Sequence, residues 1–327
     1  MDSIQTNESQ GRVSDAPSGH WTYRLLPRGA WPFAQLARWD RPVGWWLLLW
    51  PCWWSAALAP LALSGQGEGL PFWALIANLW HLLLFMIGAV AMRGAGCTYN
   101  DLVDQNIDDK VARTRSRPLP SGKVTRLQAK TFLVAQAFIG FLVLMQFNRY
   151  AIIVGLCSLI VVAIYPFMKR LTDWPQLFLG FAFSWGAWMG WAALYGSLSL
   201  APALLYVGCI FWTIGYDTIY AHQDKEDDAL VGVRSTARLF AAKTKLALGV
   251  LYTLTLLFFV AAFYVAGTPW PAYAGLTFAG LHLARQIAII DIDNGDQCLA
   301  LFKSNTVVGW IIFIGLIGAG AFEVAYN

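Results

Sequence analysis

Residues 71–109 read PFWALIANLWHLLLFMIGAVAMRGAGCTYNDLVDQNIDD, an apolar run followed by a short acidic segment. The run covers residues 71–97, which is longer than the roughly 20 apolar residues that a helix needs to cross a bilayer. It therefore predicts a membrane-spanning helix that carries residues 100–109, the first acidic segment, at its end.

The rest of the chain repeats long apolar runs separated by short polar loops. Hydrophobic residues make up 57% of the 327 positions and charged residues 13%, which excludes an ordinary soluble domain. We expect an all-α integral membrane protein with nine transmembrane helices in the lipid bilayer. The predicted spans are residues 43–64, 71–97, 126–147, 151–168, 174–196, 202–221, 244–266, 271–290 and 306–325.

Lys and Arg are concentrated in alternate loops, and such loops usually face the cytoplasm. This bias predicts a cytoplasmic N-terminus and places the ends of the second and sixth spans on the same side. We expect a multi-pass protein of a bacterial inner membrane. The basic residues are spread over several loops, so no nucleic-acid partner is expected. Residues 1–22 are interpreted as a disordered tail and residues 23–327 as one membrane domain.

A second acidic segment, residues 217–228, follows the sixth span and reads DTIYAHQDKEDD. If both segments are α-helical, each presents a stripe of oxygen atoms on one face. The two stripes consist of Asn100, Asp104 and Asp108, and of Asp217, Asp224 and Asp228. The other acids point away from these stripes and are interpreted as outer or solvent-facing residues, namely Asp101, Asp109, Glu226 and Asp227.

Clustered carboxylates beside a membrane repel one another unless cations neutralise them. Oxygen-only ligands without nearby His or Cys favour Mg²⁺ over zinc. Because Mg²⁺ usually adds phosphate oxygens to one or two carboxylates, two facing half-sites predict a bridged diphosphate. The alternative is that both segments are ordinary solvated loops.

Several basic residues are candidates for binding that phosphate. Arg113 and Arg117 follow the first acidic segment, and Lys169 ends the fourth span; each is also a plausible positive-inside anchor. Arg93 lies inside an apolar span, which predicts a polar cavity and either a carboxylate or an anionic substrate group as its partner.

Aromatic residues also accompany the acidic segments. Five aromatic residues lie in or next to spans that meet these segments, and their ring faces can stabilise a cation: Tyr165, Phe183, Trp188, Tyr216 and Tyr220. The tryptophans near the ends of the first span are mostly interpreted as anchors at the membrane interface; they are Trp45, Trp46, Trp50, Trp53 and Trp54.

The order of these motifs resembles that of the UbiA-type membrane prenyltransferases. The resemblance covers residues 34–325 and rests on five motifs: Arg41-Pro42-Val43-Gly44, Arg93 followed by Asn100-Asp101-x-x-Asp104-x-x-x-Asp108, Arg117-Pro118-Leu119-Pro120-Ser121-Gly122, Tyr165-Pro166-x-x-Lys169-Arg170, and Tyr216-Asp217-x-x-Tyr220-Ala221-x-x-Asp224-x-x-x-Asp228.

This resemblance implies nine helices around a central cavity capped by cytoplasmic Asp-rich loops. It implies Mg²⁺-dependent transfer of a polyprenyl group from polyprenyl diphosphate to the ring carbon ortho to the hydroxyl of 4-hydroxybenzoate, in ubiquinone biosynthesis. The two stripes become metal-binding groups, and their five aspartates become catalytic. Arg38, Arg41 or Arg93 would bind the acceptor carboxylate, and either Asp217 or a pyrophosphate oxygen would take the ring proton.

The sequence also allows another aromatic acceptor, a membrane transporter or a membrane scaffold. Within the family, the acceptor is alternatively homogentisate, a naphthoate, a chlorophyllide or haem, although the Pro42-Val43-Gly44 opening favours 4-hydroxybenzoate. A cation-coupled transporter is a further alternative, but the sequence lacks matching half-repeats. A membrane scaffold would leave the acidic stripes without a purpose.

Overall fold

The computed structural model of the protein describes residues 20–64, 72–108, 114–225 and 232–326. This part of the chain consists of helices and connecting turns and contains no β-strand. In chain order the α-helices are α1 (Trp21–Leu25), α2 (Trp31–Leu36), α3 (Val43–Ser64), α4 (Phe72–Asp108), α5 (Arg126–Leu144), α6 (Arg149–Leu171), α7 (Pro175–Phe183), α8 (Gly186–Tyr195), α9 (Leu200–Ala221), α10 (Thr236–Phe240), α11 (Thr244–Val265), α12 (Trp270–Ile289) and α13 (Gly295–Tyr326).

Every predicted span coincides with helical structure, so the all-helical membrane fold is confirmed. Among the described residues, eight helical stretches are long and apolar enough to cross a membrane. Helix α12 is not one of them, because His282, Arg285 and Gln286 lower its hydropathy. The count of nine transmembrane helices therefore stays a prediction, as does the tail, most of which lies outside the described residues.

The packing divides the chain into two compact units. The smaller unit contains Met1–Trp46 and Ile87–Val143, and the larger unit contains Leu47–Met86 and Leu144–Asn327. The first acidic segment belongs to the smaller unit and the second to the larger unit.

Buried tryptophans form part of the core of the larger unit. Trp50 and Trp54 are 0% exposed, so their interpretation as interfacial anchors is wrong. The Trp54 ring packs 5.0 Å from Trp212 and 5.5 Å from Phe259, measured between ring centroids. Its Nε1 donates a hydrogen bond to the carbonyl oxygen of Gly309 at 3.0 Å. These side chains therefore connect α3 with α9, α11 and α13.

Helices α12 and α13 approach each other closely at two glycines. A Cβ atom at Gly275 would lie only 2.9 Å from the α-carbon of Gly315, and the reverse distance is the same. Backbone atoms cannot move aside as a flexible side chain can. Small residues at this point therefore let the two helices pack in contact.

Candidate active site

The first acidic segment lies on the last turns of α4, which remains α-helical through Asp108. The helix thus carries the predicted stripe. Asp104 is 0% exposed, Asp108 is 6% exposed, and Asn100 is half-buried. Carboxylates buried to this degree are unlike those of a solvated loop, because a buried charge requires a cation or hydrogen-bond donors.

Asp101 is buried as well and is bound by an arginine that precedes the first span. Arg38 Nη2 donates to Asp101 Oδ1 at 2.7 Å and to Oδ2 at 2.9 Å. Asp101 therefore does not face solvent, and its other interpretation, as an outer residue beside the metal-binding stripe, stays a prediction. Residues seven apart on an α-helix lie within about 20° of each other, so Asp101 shares its direction with Asp108.

One further arginine connects these two carboxylates. Arg117 Nη1 donates to Asp108 Oδ2 at 2.9 Å and lies 3.5 Å from Asp101 Oδ1. We call Arg38, Asp101, Arg117 and Asp108 the four-residue ion-pair network. It contains two positive and two negative groups, so its formal charges cancel.

The backbone around Arg38 has an unusual conformation. Arg38 has a φ of 58°, in the left-handed region that favours glycine. Its N–H donates to the carbonyl oxygen of Gln35, and the Trp39 N–H donates to that of Ala34, which together form a Schellman motif after α2. The left-handed conformation costs an arginine about 1 to 2 kcal/mol. The buried ion pair with Asp101 explains how this residue is tolerated.

A neighbouring carboxylate engages Arg41. Asp40 is fully buried, accepts a hydrogen bond from the Tyr23 hydroxyl at 2.8 Å, and accepts another from Arg41 Nε at 3.3 Å. Burial first, and the charge of Asp40 second, raise the pKa of the Tyr23 phenol. The segment before the first span therefore holds its charged side chains in specific contacts.

Arg93 is half-buried inside α4 and lies against Gly44. A Cβ atom at Gly44 would be 2.7 Å from Arg93 Nε and 3.1 Å from Arg93 Nη2. The missing side chain of Gly44 thus provides the space for the Arg93 guanidinium. This contact explains in physical terms why a glycine ends the Arg41-Pro42-Val43-Gly44 motif.

The second acidic segment departs from the predicted geometry. Helix α9 ends at Ala221, and His222–Asp224 forms a 3-10 turn. The side chain of His222 is buried and hydrogen-bonds Thr244 through Nε2 at 3.1 Å. Because a 3-10 turn has about 3 residues per turn instead of 3.6, the assumption of one continuous α-helical stripe fails here.

The remaining members of that stripe differ in what the structure describes. Asp217 is half-buried on α9, and Asp224 lies in the 3-10 turn. Asp228 is outside the described residues, together with Asp109, Arg113, Glu226 and Asp227. The assignment of these aspartates to one metal-binding group stays a prediction.

Three more predicted site residues belong to the larger unit. Tyr165 and Lys169 are half-buried near the end of α6, where the Lys169 carbonyl oxygen accepts a hydrogen bond from the Arg234 N–H at 3.0 Å. The Tyr220 ring lies against Phe302, with 4.5 Å between ring centroids. Their assignment to substrate binding also stays a prediction.

The chemistry of the first segment fits a hard divalent cation. Asp104 and Asp108 offer buried carboxylates, and Asn100 offers an amide oxygen on the preceding turn. Within the described ranges, no group of three or more His, Cys, Asp or Glu side chains could hold a metal ion. A bound diphosphate would supply the oxygen ligands that the protein lacks, since Mg²⁺ commonly combines few carboxylates with phosphate oxygens.

Comparison with known proteins identifies relatives over most of the chain. A protein of Aedes aegypti is 49% identical over 287 residues, which cover 88% of this chain and 63% of the relative. A Drosophila melanogaster protein is 48% identical over 89% of this chain and 72% of the relative. An Arabidopsis thaliana protein is 44% identical over 93% of this chain and 72% of the relative. All three are named "4-hydroxybenzoate polyprenyltransferase, mitochondrial".

Two solved structures have a similar fold. A UbiA homologue from Aeropyrum pernix K1 is 26% identical, has a TM-score of 0.68, and is covered over 97% of its length by 83% of this chain. A UbiA homologue from Archaeoglobus fulgidus, solved with GPP and Mg²⁺, has a TM-score of 0.54 at 16% identity, covering 90% of this chain and 99% of that one. The second likeness shows the shared fold alone.

The relatives contradict the bacterial inner membrane predicted from the sequence. The proteins from the two insects and the plant are named mitochondrial. The distribution of Lys and Arg distinguishes the two sides of a membrane, but it carries no information about which membrane is involved. A multi-pass membrane protein is what the relatives and the eight apolar helices support.

The resemblance seen in the motifs extends to the chain as a whole. Residues 48–317 match the UbiA prenyltransferase family, and this range includes both acidic segments. The all-helical structure and the two solved homologues agree with that match. The chain therefore belongs to the UbiA prenyltransferase family.

Proposed function

We propose that the chain transfers a polyprenyl group from polyprenyl diphosphate to the ring carbon ortho to the hydroxyl of 4-hydroxybenzoate, releasing pyrophosphate, in ubiquinone biosynthesis. One observation carries this proposal: relatives at 42% to 49% identity, matching 88% to 97% of this chain, all have the name 4-hydroxybenzoate polyprenyltransferase. The enzyme class predicted from the motifs, an aromatic prenyltransferase, is confirmed by these relatives and by the family.

The diphosphate is held at the acidic segments in this proposal. Asn100, Asp104 and Asp108 would bind one Mg²⁺ ion, and Asp217, Asp224 and Asp228 another. When bound, Mg²⁺ neutralises the diphosphate oxygens and makes pyrophosphate a better leaving group. The burial of Asp104 and Asp108 supports the first of these groups, because buried carboxylates in a membrane-embedded chain are costly and commonly mark an ion or substrate site.

The chain then has to guide a carbocation to the aromatic ring. As the bond between the allylic carbon and the diphosphate oxygen breaks, the ring carbon ortho to the phenol attacks, and the ring proton leaves to Asp217 or to a pyrophosphate oxygen. The ring faces of Tyr216 and Tyr220 are suited to stabilise the cation. Both contact Phe302, at 5.9 Å and 4.5 Å between centroids, which supports a fixed aromatic wall.

Of the three arginines considered for the acceptor carboxylate, we assign Arg93 to this role because of its place in an apolar span. Arg93 lies within an apolar span with its guanidinium seated on Gly44. A guanidinium in such a place can bind a carboxylate through two parallel hydrogen bonds.

The test uses the purified full-length chain with Mg²⁺, a long-chain polyprenyl diphosphate and 4-hydroxybenzoate. We expect C-prenylated product and pyrophosphate in equal amounts, and no product when a chelator removes the metal. Homogentisate and a naphthoate serve as competing acceptors. Folded protein that prenylates none of these acceptors would refute the proposed activity, and a preference for another acceptor would refute the assignment of 4-hydroxybenzoate.

A further inference from the structure

We propose that Arg38 and Asp101 form a positioning pair that determines where Arg117 binds and thereby tunes how strongly the first acidic segment holds Mg²⁺. The proposal rests on the proposed function, because it takes Asp108 as a metal ligand. Neither member of the pair contacts a reacting atom in this role. They act through Arg117, which interacts with both carboxylates of the four-residue ion-pair network.

The hydrogen bonds of Asp101 leave Arg117 available to Asp108. Both Asp101 oxygens accept from Arg38 Nη2, at 2.7 and 2.9 Å. Arg117 Nη1 is 3.5 Å from Asp101 but 2.9 Å from Asp108. A carboxylate already satisfied by one guanidinium thus directs the hydrogen bond of the second guanidinium to the neighbouring carboxylate.

Burial makes this balance of charges important. The side chains of Arg38 and Arg117 are 13% and 14% exposed, and those of Asp101 and Asp108 are 1% and 9% exposed. Solvent therefore screens the network weakly. Removing Arg38 would leave one excess negative charge, draw Arg117 toward Asp101 and release Asp108. Removing the charge of Asp101 would leave one excess positive charge and confine Arg117 to Asp108.

The backbone supports a role for the Arg38 side chain. Its φ of 58° favours glycine, so the conformation itself gives no reason for an arginine. The guanidinium explains the arginine, because it is the group that binds Asp101. Glycine adopts this backbone conformation readily, so replacement by glycine keeps the turn and removes the side chain that makes the ion pair.

The experiment compares Arg38→Gly, Asp101→Asn and the double variant with the unaltered chain. The first readout is the Mg²⁺ concentration that gives half of the increase in melting temperature in the presence of pyrophosphate, which requires no turnover. We expect this concentration to fall on the order of tenfold in Arg38→Gly and to rise on the order of tenfold in Asp101→Asn. In the double variant the two effects should cancel to within about threefold, since the formal charges balance again.

A matched control removes one positive charge elsewhere in the smaller unit. Arg126→Gln is suitable because Arg126 is exposed and its Nη1 donates to the neutral side chain of Gln105 at 2.6 Å. We expect its Mg²⁺ response to equal that of the unaltered chain. The second readout is kinetic: Arg38→Gly should change the KM for polyprenyl diphosphate and leave the KM for 4-hydroxybenzoate unchanged.

Several results would overturn the positioning pair. One is a half-maximal Mg²⁺ concentration that shifts in the same direction in both single variants. Another is a double variant whose Mg²⁺ concentration shifts further than that of either single variant. A third is an effect of Arg38→Gly on the KM for 4-hydroxybenzoate alone. If Asp101→Asn does not fold, the comparison of Arg38→Gly with the double variant tests the proposal. The double variant must then reverse the fall in Mg²⁺ concentration that Arg38→Gly produces. If the unaltered chain neither responds to Mg²⁺ nor turns over, the proposed function has failed instead.

Discussion

Gly44 and Arg93 form one structural unit at the scale of single residues, because the missing side chain of the first accommodates the guanidinium of the second. Nε of Arg93 would lie 2.7 Å from a Cβ at position 44, which is inside van der Waals contact. Any larger residue must displace the guanidinium. The position of Arg93 is therefore set by a residue that contributes no functional group.

The substitution Gly44→Ala tests whether Arg93 binds the acceptor. We expect the KM for 4-hydroxybenzoate to rise about tenfold, which corresponds to about 1.4 kcal/mol of lost binding, with little change in the KM for polyprenyl diphosphate. Gly96→Ala is the control, since a Cβ atom at Gly96 would have no neighbour within 4 Å. An unchanged acceptor KM in Gly44→Ala would exclude Arg93 from this role.

Asp104 offers a second test at this scale. Asp104→Asn keeps the shape of the side chain but removes its charge, and we expect product formation to fall about a hundredfold because the proposed site would lose a metal ligand. The control is Asp293→Asn, whose carboxylate is 78% exposed and pairs with Lys225. The measurement is prenylated product formed by folded protein, and normal activity of Asp104→Asn would remove it from the ligand set.

The sequence predicted the important side chains better than it predicted their partners. Burial of Asp104 and Asp108 follows from their phase on α4, which continues the helix of an apolar span. The ion pair of Asp101 was not predicted, although its spacing of seven from Asp108 places the two carboxylates on one face of the helix. Its partner, Arg38, lies 63 residues earlier, and no local pattern connects the two positions.

At the scale of elements, close packing between helices depends on where small residues coincide. Helices α12 and α13 meet at Gly275 and Gly315, where backbone contacts replace side-chain contacts. The loop of residues 290–294 connects the two helices. Glycine lowers helix propensity, so its presence inside both helices reflects the packing.

The substitution Gly275→Ala should therefore destabilise the larger unit. A Cβ atom 2.9 Å from the Gly315 α-carbon cannot be relieved by rotating a side chain, and we expect a loss of about 1 to 3 kcal/mol. In detergent this would appear as a lower melting temperature. Gly318→Ala is the matched control on α13, because its nearest contact would be an ordinary 3.8 Å, and helix propensity favours alanine there. Equal melting temperatures for the two variants would contradict the close approach.

Helix ends were harder to predict than helices. The apolar run at residues 71–97 predicted α4, yet the helix continues to Asp108 through polar sequence. In the second acidic segment, by contrast, the α-helix stops at Ala221 and a 3-10 turn follows. The contact between His222 and Thr244 accompanies this change, and such tertiary contacts are not visible in local sequence.

At the scale of the whole molecule, the apolar surface is that of a protein in lipid. In α5 and in α6, only 11% of the residues in the most apolar stretch of 18 are buried. Large side chains such as Ile153 and Ile160 are 60% and 63% exposed. A soluble protein rarely exposes apolar patches of this kind.

The substitution Ile160→Arg tests this surface. An arginine near the middle of a membrane helix costs about 2.5 to 3.5 kcal/mol on insertion scales, so we expect less folded protein in the membrane fraction. Ile160→Leu preserves the apolar surface and serves as the control. The amount of monodisperse protein after detergent extraction measures the effect, and equal yields would argue against exposure of this position to lipid.

The contact between Trp54 and Gly309 has a consequence for how the chain is made. The two residues are 255 positions apart, so α3 leaves the ribosome long before its partner helix exists. At about 5 to 20 residues per second, the interval is on the order of 10 to 50 seconds. During that time the indole N–H of Trp54 lacks the carbonyl that it binds in the finished protein, and the first span must wait in the membrane for the last one. A chain that ends before Gly309 would lack this hydrogen bond and the packing around Trp54. The exposed tryptophan would distinguish such a chain from the completed protein for quality-control proteases.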